Sequence, residues 1–135
     1  MPRTITASVQ CMTAVALLAG CSAADLGQTR QVGDYFITVT TDPPKLEVGS
    51  DAELTAHIVR DDEGLERCRV SFRQYMPDHQ MTTDHTLHVM NDMGQGNYRA
   101  RGTEFTMGGD WEVELQFNCG DGLKTTVFPY NLVWM

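Results

Sequence analysis

Between Tyr75 and Met107 the chain carries five of the six methionines that follow residue 20, and three of its four histidines. The densest run is Met76-Pro77-Asp78-His79-Gln80-Met81, and Met107 lies further on. Thioether and imidazole together suit a soft ion such as Cu(I). No other chemistry is apparent: there is no Gly-rich phosphate loop, no nucleophile motif and no zinc spacing. Asp84 and His85 adjoin, but no Ser or Cys stands in a recognisable frame with them, so turnover is not expected. The acidic run Asp61-Asp62-Glu63 lacks the spacing of an EF-type calcium loop and reads as a solvated hairpin turn.

The elements that must position these side chains alternate with period two. Trp111 to Cys119 is the clearest, with every odd position apolar and every even one polar, as in a strand that faces a core on one side. Further strands are expected at Tyr35–Thr41, Ala52–Arg60, Cys68–Tyr75, Thr86–Met90, Asn97–Arg101 and Lys124–Trp134. Turn residues separate them, among them Asp42-Pro43-Pro44, Val48-Gly49-Ser50, Gly94-Gln95-Gly96 and Gly120-Asp121-Gly122. About seven short strands at this spacing predict an all-β fold, an immunoglobulin-like antiparallel β-sandwich over residues 34–135.

The N-terminus indicates where such a domain works. Residues 4–20 are uncharged and end in Ala14-Val15-Ala16-Leu17-Leu18-Ala19, too short to span a bilayer comfortably, so residues 1–20 read as a secretory signal. Leu18-Ala19-Gly20-Cys21 resembles the lipobox of bacterial lipoproteins, which implies lipidation of Cys21 and a stable membrane anchor. Ser22 after that cysteine favours the outer membrane in a cell with two membranes. Residues 21–33 are small, polar and aperiodic and are expected to form the tether. Signal cleavage removes Arg3 and no acidic residue, taking the formal charge from −8 to −9. A domain this acidic has no footprint for nucleic acid.

Once the signal is gone and Cys21 carries lipid, two cysteines remain. Cys68 shares parity with Val70 and Phe72, and Cys119 with Phe117 and Leu115, so both are expected to point inward. In an oxidising compartment that invites an inter-sheet disulfide, the alternative being a thiol pair that binds copper or exchanges electrons. A blue-copper centre is excluded on spacing: no histidine follows Cys119, and His79 lies a whole strand beyond Cys68.

Three ordered segments, VGSDAELTAHIVRDDEG, MPDHQM and GQGNYRARGTEFTMGGDWEVELQF, resemble the YtkA-like domain, a small exported module akin to the FixH and CopC-like β-sandwiches associated with copper handling. Its recurring elements fall on Met76, Pro77 and His79; on Gly96 and Tyr98; and on Phe105, Met107, Gly109 and Trp111. The chain departs from it in two places. His79 is followed by Gln80 and Met81 where many members carry a second histidine, and Cys68 stands where a small residue is usual.

The resemblance implies a metal site in which Met76, His79, Met81 and Met107 converge at one end of the sandwich and hold Cu(I). The opposing expectation is that these methionines fill gaps beside Trp111 and Tyr98. His85, His88, Met90 and Met93 make a weaker set, with Leu87 and Val89 expected inward and His88 and Met90 outward. His57 is expected to face solvent. The function this predicts is a lipid-anchored domain that binds copper or hands it to a receiving envelope protein. The competing expectation is a metal-free module that docks another envelope protein through its edge or loops.

Overall fold

The computed structural model describes residues 27–79 and 86–133. Ten strands form two antiparallel sheets, a β-sandwich. They are β1 (Gln28–Val32), β2 (Tyr35–Asp42), β3 (Asp51–Arg60), β4 (Glu63–Gly64), β5 (Arg69–Tyr75), β6 (His88–Val89), β7 (Asn91–Gly94), β8 (Asn97–Glu104), β9 (Gly109–Asn118) and β10 (Lys124–Leu132). One sheet runs β1-β2-β3-β8-β7 with β4 paired to β3, and the other runs β10-β9-β5-β6. The period-two pattern explains the layering: Trp111, Val113, Leu115 and Phe117 of β9 are buried against Ile37, Leu54, Ala56 and Ile58 of the facing sheet. The hairpin turn at Asp61-Asp62 holds both residues at positive φ, as a two-residue turn between β3 and β4 requires.

Three expectations need correction. Gln28–Val32, expected as tether, is the edge strand β1, paired with β2 along its whole length. Its polar side chains close one side of the sandwich: Gln28 Nε2 donates to the Pro129 carbonyl at 2.6 Å, and the Arg30 guanidinium lies 5.5 Å over the Phe128 ring.

The strand expected at Thr86–Met90 shrinks to His88–Val89, because at Met90 the chain crosses from one sheet to the other. The crossing inverts the alternation, so Met90 is buried, Leu87 and Val89 are exposed, and His88 stacks on Phe72 at 5.1 Å.

Cys68 and Cys119 do form a disulfide, but within one sheet. Arg69 lies opposite Asn118 in the β5–β9 ladder, and the cysteines make the next rung, their Cα atoms 4.2 Å apart. Shared inward parity is satisfied as well by neighbouring strands of one sheet as by facing strands of two.

Candidate metal centre

The end of β5 and the connection from β8 to β9 build one end of the sandwich. β5 carries the chain past Tyr75, which pairs with Glu112, and places Met76 beside Trp111 with its side chain in the core. Met76 is 3% exposed. A single 3-10 turn, Pro77–His79, follows, and the His79 amide donates to the Met76 carbonyl at 2.9 Å. That turn leaves the His79 side chain exposed.

From the other sheet, the segment after β8 brings Phe105 and Met107 across this end to β9. Phe105 packs edge-on to Trp111 with centroids 5.1 Å apart, and Trp111 Nε1 donates to the Met107 carbonyl at 2.9 Å. Met107 itself is half-buried against the core. Gly109, at φ +125, is where the two segments meet: a Cβ there would lie 2.8 Å from Met76 Cε. The end of the Met76 side chain therefore occupies the space that Gly109 leaves, and Ala in place of Gly109 would be strained by its positive φ and would displace that methyl.

The four expected ligands are thus treated differently. Met76, His79 and Met107 are brought to the same end. Of the three, Met76 is enclosed, Met107 lies at the boundary and His79 faces solvent. Met81 lies outside the described residues, as do Cys21 and His85. The members of the weaker set diverge, since Met90 enters the core while His88 and Met93 lie on the open side of the sandwich. His57 is half-buried on the outer face of its sheet, between Thr38 and Asn97. Among the described residues no cluster of three His, Cys, Asp or Glu could hold a metal. A site here must draw on thioethers. With both described cysteines in the disulfide, the candidate donors described at this end are the thioethers of Met76 and Met107 and the imidazole of His79, a set that fits a soft cuprous ion in type.

The surroundings are acidic. Tyr75 donates its hydroxyl to Glu112 Oε1 at 2.7 Å, and that bond, followed by desolvation, pushes the phenol up to about 12. Asp78, Asp110 and Glu112 rim an open pocket beside Pro77 and Trp111.

The opposite end holds polar ties that sequence reasoning missed. The Tyr35 hydroxyl donates to Asp121 at 2.7 Å and accepts from Arg60 at 3.0 Å. The hydroxyl of buried Tyr98 donates to the Leu65 carbonyl at 2.7 Å and accepts the Cys68 amide at 2.9 Å. Gly96, at φ +86, lets that strand pass β4, where a Cβ would meet the Gly64 Cα at 2.6 Å. Gly-x-Tyr is a packing signature here.

In this two-sheet sandwich Met-Pro-x-His follows the end of β5, and Phe-x-Met-x-Gly-x-Trp leads into its ladder partner β9. The chain belongs to the YtkA-like family, whose model matches residues 29–116. In fold it is similar to the PmoD soluble domain from Methylocystis sp. ATCC 49242 (Rockwell), at TM-score 0.53 and 9% identity, covering 79% of this chain and 98% of that one. It is also similar to a Br derivative of BhCBM56, at TM-score 0.47 and 14% identity, covering 78% and 99%. No curated protein matches.

Proposed function

We propose that this domain is exported, held at a membrane through lipid on Cys21, and binds copper or passes it to a receiving envelope protein without turnover. What supports this reading is that the Met76 side chain lies against Gly109 while the Met107 carbonyl is held by Trp111 and the His79 amide by Met76, all at one end of the sandwich. His79 and Met107 are the donors that solvent reaches. Met76, enclosed beside Gly109, and Met81 complete the proposed donor set. Thioethers keep their affinity for Cu(I) where thiols are oxidised, as the two described cysteines are here. The acidic rim favours a cation over an anion.

A Cu(I) competition titration, with ascorbate as reductant so that the disulfide survives, tests the reading. His79→Ala and Met107→Ala should each weaken binding at least about tenfold, or about 1.4 kcal/mol. Equal affinity in wild type and both variants refutes it.

A further inference from the structure

The two long sides of the sandwich are built differently. Where β1 lies over β10 the sheets are laced by Gln28 and Arg30. On the other side, between β6 and β7, a groove opens along residues Arg99–Thr103 of β8. β7 pairs with β8 only as far as Arg99, because at Met90 the chain leaves for the other sheet. Among the described residues no strand covers that edge from Ala100 onward. A Cβ built on Gly102 meets nothing within 4 Å. Three of the six large hydrophobic side chains exposed among the described residues line this groove: Leu87 (47%), Val89 (76%) and Met93 (52%).

Its charge is the reverse of the chain's. Arg99 and Arg101 both face Glu53, with Nε–O distances of 3.7 and 2.8 Å. One carboxylate between two guanidiniums leaves a net positive charge, and the buried Nε of Arg99 has no hydrogen-bond partner. A cationic excess beside exposed apolar side chains, in a chain of net charge −8, calls for an anionic, apolar complement.

We propose that this groove takes an extended segment of a partner protein in which apolar residues alternate with carboxylates. The segment lies along the β8 edge, its apolar side chains against Leu87, Val89 and Met93 and a carboxylate on Arg99 and Arg101. Period-two alternation sends one set of side chains to each wall, as in strand addition. This surface is independent of copper, so it is tested without metal.

Random eight-residue peptides displayed on phage, selected against the full exported chain, provide the probe. Selected sequences should alternate apolar residues with Asp or Glu. The matching synthetic peptide should bind Val89→Asp and Arg101→Glu at least about tenfold more weakly, and Phe36→Ser, on another surface, with unchanged affinity. Val89→Ser and Arg101→Gln replace the first pair if either loses its near-UV signal. Failure to enrich any peptide overturns the proposal, as do peptides that bind all variants equally. Concentration-dependent dimerisation abolished by Val89→Asp assigns the groove to a second copy and overturns it too.

Discussion

The two ends of this sandwich are closed by different chemistry. At one, the Cys68–Cys119 rung, the Tyr35–Asp121–Arg60 cluster and Tyr98 engage hydroxyls, a carboxylate and both described cysteines with one another. At the other, Met76 fills the gap above Gly109, Trp111 holds the Met107 carbonyl, and His79 stands in solvent. Both solutions plug the open end of a sandwich. The second closes with backbone carbonyls and an aromatic ring and leaves the thioether of Met107 at the boundary. Of the family's motif residues, Met76, Phe105, Gly109 and Trp111 pack at that end, and the proposed metal site rests on the few side chains that packing does not consume.

The largest effect should come from the covalent end. The disulfide closes a loop of 51 residues. Cys68→Ser/Cys119→Ser should therefore lose about 4 kcal/mol in denaturant unfolding by the chain-entropy relation, and an unchanged midpoint would mean the rung is incidental. Next comes Met76→Ala, which empties a buried site and should cost roughly 2 to 4 kcal/mol. Met107→Ala, half-buried and tied through its carbonyl, should cost less than about 1.5 kcal/mol. Equal losses in the two variants would erase the contrast drawn between these methionines.

Smaller still, Tyr35→Phe removes a hydroxyl that both donates and accepts, a loss of roughly 1 to 2 kcal/mol by the same unfolding measurement.

The ends should also differ in their response to pH. Asp121, bonded to Tyr35, and Asp92, accepting the Arg67 and Gly94 amides, are both held below their ordinary value of 3.8. Depressed carboxylates stabilise above that value and lose their contribution as pH falls through the folded pKa, so amide exchange near Arg67 and Asp121 should rise first in acid. Tyr75, beside Met76, is pushed up from 10.0 to about 12 chiefly by its bond to Glu112. Its stabilisation is complete below pH 10.0 and is lost as pH rises toward 12, and Tyr75→Phe should flatten the unfolding profile across that window.

Most of this architecture was legible from alternation alone, since β2, β3, β5, β9 and β10 each bury one face. β1 was not, because Gln28 and Arg30 do an edge strand's inward work with polar side chains, and hydropathy has no signal for that. Thr86–Met90 failed for another reason. A period-two reading assumes one sheet, and the chain changes sheets at Met90. Within the candidate site, residue types could not separate Met76 from Met107. What buries Met76 is the side chain that Gly109 lacks, a contact set by the meeting of two sheets. The groove along β8 was invisible because it is made by a strand stopping short.

The most direct measurement of the central claim is the methyl spectrum of the exported chain, labelled with 13C at methionine, before and after one equivalent of Cu(I). The Met107 and Met81 methyls should shift, with Met90 and Met93 unmoved and Met76 responding less than Met107. A spectrum in which no methyl near Gly109 moves, or in which Met93 shifts as much as Met107, would contradict a copper site at this end.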